Sequence, residues 1–376
     1  MPQLPEQIQE PPIVRAIYAA YVKGHSFLGP KSASRRRYLG ASVIGRACER
    51  ALWYGFRWCG GEEHDGRMRR LLESGDVQEL RLLSDLRAAG CEVVERDGDG
   101  QIAVSACGGH FGGHLDAAVR GVPEAPKAWH VAECKSHNAK SFADLRAKGV
   151  AASKPEHHAQ VQVYMHLTGM ERAVYLAVNK DTDELHAERV RYDAVEAGRL
   201  MGRALRVIQS PRPPERIAAD PDDFRCKWCC HAGRCHASTP PAPAVDVDVT
   251  CRSCVHATPV VEGSGDGRWV CDKHNRDLTD ADQSAACPDH LFIPELVLFA
   301  KQVDAGQDPA GDWVLYERPD GKTFANTKQQ GGYASEELTR IPWPLVGDGP
   351  VEDLKEVFGA EVIDAADAPF AVKGAA

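Results

Sequence analysis

The octapeptide Trp129-His-Val-Ala-Glu-Cys-Lys-Ser136 reads as an extended strand, in which alternate side chains share a face. Glu133 and Lys135 then project together and Cys134 points the other way, so a carboxylate and an ammonium meet at one spot. Upstream, Gly112-Gly-His-Leu-Asp-Ala-Ala-Val119 also reads as a strand. Its Asp116 falls beside Glu133 if the two runs pair across the loop containing Pro123 and Pro126. Two acidic oxygen ligands suit a hard divalent cation such as Mg²⁺ or Mn²⁺, and a nearby lysine can orient or activate a water for attack on phosphorus. The plain alternative is an exposed strand face with ordinary ion pairs.

Four blocks occur in order: Gly75-Asp-Val-Gln-Glu79, Gly113-His-Leu-Asp116, Glu133-Cys-Lys135 and Gln160-Val-Gln-Val-Tyr164. Each alone is weak, but the ordered set resembles the PD-(D/E)XK nuclease superfamily, and within it the RecB-like branch. The resemblance implies an α/β restriction-endonuclease-like core, a central mixed sheet flanked by helices. It implies that Asp116, Glu133, the Cys134 backbone carbonyl and Glu79 hold Mg²⁺ or Mn²⁺, and that Lys135 positions the attacking water. Gln160 and Tyr164, four apart and so on one helical face, are implied to support the lysine and contact DNA. The implied activity is hydrolysis of phosphodiester bonds at DNA ends, an exonuclease of recombination, repair or phage DNA processing that leaves 5'-phosphates.

With 376 residues the chain has room for one sizeable domain and one or two smaller ones. A hydrophobic fraction of 43% and a charged fraction of 26% fit a soluble globular protein. No apolar run is long enough to span a bilayer, and MPQLPEQIQEPP lacks the basic and apolar regions of a signal peptide, so a cytoplasmic location without membrane attachment is expected. The formal net charge of -9 offers no overall attraction to nucleic acid. A local basic strip would have to hold DNA, drawn from Arg35 to Arg37, from Arg67, Arg69 and Arg70, or from Lys135, Lys140 and Lys148.

Along the chain, residues 1–12 are expected to be disordered, with a helix carrying Ile13, Ile17 and Tyr21 after them. A second helix is expected from Ser42 as N-cap through Ile44, Cys48, Leu52 and Tyr54 or Trp53, which puts Cys48 on a buried face. A longer one over 67–89 would bury Leu72, Val77, Leu80, Leu83 and Leu86, with Glu79 at the border of that stripe. Residues 92–95 and 101–105 read as a hairpin about Asp97-Gly-Asp-Gly100. Strands over 113–119 and 131–135, helices over 139–147 and 156–167, and strands over 173–179 and 185–192 complete an α/β core.

Thirteen cysteines are many for a cytosolic chain, where clustered cysteines more often bind metal than form disulfides. Cys59, Cys91, Cys107 and Cys134 are scattered and read as small buried side chains. Cys226, Cys229 and Cys235 can wrap one centre but leave a tetrahedral set incomplete. RecB-like nucleases with an iron-sulfur cluster, and the similar CRISPR adaptation nucleases, place one cysteine before the core and three after it. Cys48 followed by Cys226, Cys229 and Cys235 resembles that layout and implies a 4Fe-4S cluster stapling the chain across the core. Cys230 in place of Cys229, and zinc in place of the cluster, remain open.

Thr239 to Val249 reads as a Pro-rich linker (239–250), separating the nuclease domain (1–238) from a Cys-rich module (251–294) and a small accessory α/β module with a tail (295–376). Cys251, Cys254, Cys271 and Cys287 suit a small zinc ribbon, with His256, His274 or His290 as substitutes and a second iron-sulfur centre as rival. The accessory module is expected to carry a strand at 313–316, a turn at 319–322 and an amphipathic helix over 351–358. No Walker-type phosphate loop is present, so any motor activity belongs to a partner. DNA is the expected partner, with a recombination annealing protein, a helicase or an integrase beside it. Two rival readings stay open, a partner-dependent CRISPR-adaptation-type nuclease and a non-catalytic metal-stapled DNA-binding scaffold.

Overall fold

The structure, a computed structural model, describes residues 10–29, 35–61, 64–98, 100–237, 243–263, 265–285, 287–349 and 351–357. The expectations for residues 1–9, 239–242 and 358–376 lie outside these. The helices that matter here are α1 (Pro12–Val22), α2 (Glu49–Phe56), α3 (Gly66–Ala88), α4 (Ala139–Ser153), α5 (Pro155–Thr168) and α6 (Ala194–Gln209).

A five-stranded mixed sheet forms the centre. Its strands are β2 (Glu92–Val94), β7 (Ala117–Arg120), β8 (Trp129–His137), β9 (Arg172–Asn179) and β10 (Leu185–Arg191), in the order β10-β9-β8-β7-β2. β8 and β9 are parallel, and the other neighbours are antiparallel. A parallel pair cannot be joined by a tight turn, and α4 and α5 provide the crossover between them. Alternation along the strands divides the core into two layers. Ala132, Cys134, Val174 and Leu176 meet Leu82 and Leu83 of α3 on one side, while Val131, Ala173, Tyr175 and Ala177 join Val161, Tyr164 and the α6 residues Leu200 and Val207 on the other.

Beside it, β1 (Leu39–Gly40), β5 (Ala103–Ala106) and β6 (Phe111–His114) make a three-stranded sheet, and β3 (Arg96–Asp97) pairs with β4 (Gly100–Gln101). Two expectations change here. The hairpin over 92–105 holds only between β3 and β4, because β2 turns to pair with β7 while β5 pairs with β6. The run 113–119 is likewise two strands in two sheets, broken at Leu115-Asp116.

The helix expected from Ser42 is instead a short 3-10 turn, Ala41–Val43, then irregular chain, then α2. Arg203 of α6 takes the carbonyls of Ile44 (2.8 Å) and Ala47 (2.9 Å), which a continuous helix would use internally. Cys48 therefore caps α2 in an extended conformation and is half-buried, not on a buried helical face. In α3 the expected stripe is only half right. Leu72, Val77 and Leu80 are exposed, because the first half of α3 packs on α1, where Glu73 is buried and bonded to Tyr21, Ser26 and Phe27. Ile13 and Ile17 of α1 are exposed as well.

The C-terminal part adds the sheet β11 (Ala257–Pro259), β12 (Trp269–Cys271) and β13 (Arg276–Leu278), then β14 (Lys301–Asp308), β15 (Gly311–Glu317) and β16 (Thr323–Asn326). A last described helix covers Val351–Val357. The described part of the expected linker is packed. Ala244, Val245 and Val247 are buried, and the N–H groups of Ala244 and Val245 donate to Ile341 (2.7 Å) and Leu338 (2.9 Å). Among the described residues no helix is long and apolar enough to cross a membrane.

Candidate active site

The break between β6 and β7 positions the first carboxylate. β7 runs antiparallel to β8 with Ala117 opposite Ala132, so Asp116 stands beside Glu133 at the point where its strand leaves the central sheet. Asp116 Oδ2 accepts a hydrogen bond from the Cys134 N–H at 2.7 Å and lies 3.9 Å from Lys135 Nζ. Lys135 Nζ also forms an ion pair with Glu133 Oε1 and donates to the Cys134 carbonyl at 3.1 Å. Asp116, Glu133, Lys135 and the Cys134 backbone thus form one cluster.

Glu133 is fully buried; the Lys135 ammonium is at Oε1, and Oε2 has no hydrogen-bond partner among the described residues. Burial pushes its pKa up to about 7; Lys135 opposes that shift, and Asp116 and Glu79 add to it. Glu79 of α3, half-buried, is also raised to about 7, first by burial and then by Asp116, with Lys135 opposing. Lys135 moves the opposite way: burial works against its charge, but Glu133 and Asp116 outweigh it and hold the ammonium. Three carboxylates about one lysine leave an excess of negative charge. A buried carboxylate oxygen without a donor, a second carboxylate beside it and a carbonyl at the same place are the oxygen-rich set a hard divalent cation takes.

Tyr164 closes the α5 side. It is buried, and Gln160 Nε2 donates to its hydroxyl at 3.3 Å. Burial and then Glu133 push its pKa well above the usual tyrosine range, while the Gln160 bond opposes the shift. A Cβ on Gly113 would stand 2.6 Å from the Tyr164 hydroxyl, so the glycine of the Gly113-His-Leu-Asp116 block is what lets the ring approach β6. One layer of the site gives no sequence signal. Tyr175 on β9 is the register partner of Glu133, and its hydroxyl meets His137 Nε2 at 3.0 Å and His157 Nδ1 at 2.7 Å. Ser141 Oγ lies 3.1 Å from the other nitrogen of His137. Burial lowers both histidines, to about 4 and about 3, so neutral imidazoles pack beside the lysine.

The expected basic strip is partly committed. Arg35 pairs with Asp248, Arg37 with Asp280 and Lys148 with Asp144.

Cys48, Cys226, Cys229 and Cys235 line one pocket with Arg50, Tyr54 and Arg225. Cys230 is exposed and is not part of that lining. Cys251, Cys254, Cys271 and Cys287 line a second cleft. Of the scattered cysteines, Cys59, Cys91 and Cys134 are buried and Cys107 is half-buried.

No family model and no curated protein match the chain. Among solved structures, the alkaline exonuclease LHK-Exo of Laribacter hongkongensis is similar at 18% identity and a TM-score of 0.35, over 46% of this chain and 88% of that one. The structure of LHK-Exo in complex with dAMP gives 17%, 0.35, 46% and 87%. A phage-related exonuclease from Haemophilus somnus gives 14%, 0.30, 44% and 79%. At scores this low the superposition is partial, and it assigns no role to any residue of this chain.

Proposed function

We propose that this chain is a divalent-metal-dependent DNA nuclease of the PD-(D/E)XK type, acting on DNA ends. The observation that carries the reading is the cluster of Asp116, Glu133 and Lys135, tied together through the Cys134 backbone beside a buried Glu133 oxygen, Oε2, that has no donor. Asp116, Glu133, the Cys134 carbonyl and Glu79 would hold Mg²⁺ or Mn²⁺, which supplies a water of lowered pKa and charge neutralisation at phosphate. Lys135 keeps its proton and orients the attacking water with it. Glu133 and Glu79, raised towards neutrality, lose their protons as cation binds, so metal affinity rises with pH. Tyr164 and Gln160 wall the site on the α5 side and keep Lys135 in place.

The thiol set of Cys48, Cys226, Cys229 and Cys235 is read as the ligand set of a 4Fe-4S cluster. A zinc-thiolate tetrahedron with bonds of about 2.3 Å has edges of roughly 3.8 Å. Zinc held by the same thiols is the alternative, and iron and sulfide content of the purified protein separates the two.

The test is degradation of end-labelled linear and circular DNA, single- and double-stranded, by anaerobically purified protein with Mg²⁺ or Mn²⁺. Glu133→Ala and Lys135→Ala are run beside it. Loss of linear DNA that both substitutions abolish supports the reading, and the labelled end gives the polarity. Intact protein that leaves every substrate uncut sinks it.

A further inference from the structure

The second cleft, of about 280 Å³, is lined by sulfurs that the nuclease chemistry does not use. Cys251 and Cys254 bracket a single 3-10 turn, Cys271 ends β12, and Cys287 follows the short helix Asp280–Ser284 that comes after β13. The segment repeats a ligand spacing three times: Cys251-Arg-Ser-Cys254, Cys271-Asp-Lys-His274 and Cys287-Pro-Asp-His290. Backbone N–H groups are already directed at two of the sulfurs, those of His256 and Leu291 at Cys254 and that of Asp289 at Cys287. At the rim, His274 Nε2 lies 3.6 Å from Cys287 Sγ and 3.4 Å from Asp289 Oδ2. His290 is committed elsewhere, its Nε2 being 3.0 Å from the Thr250 carbonyl and 3.2 Å from Ser253 Oγ.

We propose that this cleft is a second thiolate metal centre, ligated by Cys251, Cys254, Cys271 and Cys287 with His274 at its rim, and that it locks the C-terminal part of the chain onto α2. The ligand class is a thiophilic metal, either a single zinc ion or an iron-sulfur group. His274 is exposed, and its ligand atom lies within 4.8 Å of those of Cys287 and Asp289, so His274 and Asp289 are the further donors beside the Cys287 thiol.

The lock is Arg252, carried between the first two thiols. Its side chain is almost wholly buried, with the guanidinium 4.3 Å from the Trp58 ring, 4.5 Å from Trp269 and 5.4 Å from Phe56. It donates to the carbonyls of Phe56 (3.1 Å) and Arg37 (2.9 Å) and to Gln283 Oε1. Arg57 answers from the other side, donating to Ala257 O at 3.0 Å. Since α2 runs from its cap at Cys48 to Phe56, the two thiol sets grip opposite ends of one eight-residue helix. Metal at Cys251 and Cys254 would fix the turn that aims Arg252 beneath α2.

The test is metal content, which is independent of nuclease activity. The full chain is purified anaerobically, and zinc, iron and sulfide per chain are measured beside Cys254→Ser, Cys271→Ser and the control Cys107→Ser. One zinc, or a second complement of iron and sulfide, that is lost in the two cleft variants and kept in the control is the expected result, and the element identifies the centre. Metal content that is unchanged in both cleft variants overturns the proposal. Should those variants fail to fold, the intact chain is stripped with chelator under reductant and titrated with Zn²⁺ or with Fe²⁺ and sulfide, with tryptophan fluorescence from Trp58 and Trp269 as readout. Stoichiometric uptake with a fluorescence change supports the centre, and no uptake beyond the first thiol set overturns it.

Discussion

The carboxylate of Asp116 accepts the backbone N–H of Cys134 at 2.7 Å, so the strand that leaves the central sheet is pinned to the strand that carries Glu133 and Lys135. A charge-assisted bond of this kind is worth about 1.5–3 kcal/mol and leaves the other carboxylate oxygen available to a cation. Asp116→Asn keeps an oxygen that can accept the same N–H but removes the charge. The expected outcome is a folded protein, unchanged in far-UV circular dichroism, whose DNA hydrolysis falls by about 10²–10³-fold or more. Activity within a few-fold of the parent would remove Asp116 from the site.

Stability should depend on pH in a way set by Glu133. Its folded pKa of about 7 is above the ordinary value of 4.5, so the uncharged carboxyl favours the folded state. That contribution is fully present below pH 4.5 and is lost as pH rises through about 7. Measured in chelator against Glu133→Gln, which still carries Glu79, His137 and His157, the parent is therefore expected to lose stability between about pH 5 and pH 8, and Mg²⁺ should restore it at the upper end by pairing with the charged form. Glu133→Gln should flatten the slope measured in chelator; a variant with the parent's slope would show that another group is responsible.

How much of this was readable in the chain follows from how local each signal is. Glu133 and Lys135 are two apart on one strand, and Gln160 and Tyr164 four apart on one helix, so periodicity alone pairs them. The placement of Asp116 needed only an antiparallel register across one loop. What escaped depended on distant partners: Arg203 taking the carbonyls of Ile44 and Ala47 in place of a helix, Glu73 drawing the first half of α3 onto α1, and Tyr175 meeting Glu133 across a parallel register. The described part of the expected linker, from residue 243 on, shows the same dependence. Pro and Ala composition suggested an exposed tether, while Val245 and Val247 found a surface to bury against.

Gly113 offers a test that separates packing from chemistry. Gly113→Ala places a methyl 2.6 Å from the Tyr164 hydroxyl and should cost about 1–3 kcal/mol by overpacking. Tyr164→Phe removes that oxygen, leaving ring carbons at 3.2 and 3.3 Å. In urea denaturation the double variant is expected to be more stable than Gly113→Ala alone, giving a favourable coupling energy. Simple additivity would place the strain elsewhere.

Cys229 and Cys230 are neighbours in the chain but not in their surroundings, one lining the pocket with Cys48, Cys226 and Cys235 and the other exposed. Cys230→Ser is expected to keep visible absorbance and iron content, whereas Cys229→Ser and Cys48→Ser should lose both, with a lower Tm. Loss in Cys230→Ser alone would reverse the assignment.

Arg252 should tolerate no replacement, including the one that keeps its charge. Burial, with Arg57 and Arg37 nearby, lowers its pKa to about 9, so the fold already bears a cost for the cation. The return comes from a planar group that stacks between Trp58 and Trp269 while serving three acceptors in a fixed fork. A lysine has no plane to stack and no fork, and burial would drive it towards the neutral amine. Arg252→Lys is therefore expected to destabilise the protein by about 3–5 kcal/mol, close to Arg252→Met, because both leave the carbonyls of Phe56 and Arg37 without their donor. Equilibrium denaturation of the two variants decides it. A lysine variant within about 1 kcal/mol of the parent would mean that charge, and not stacking geometry, holds this junction.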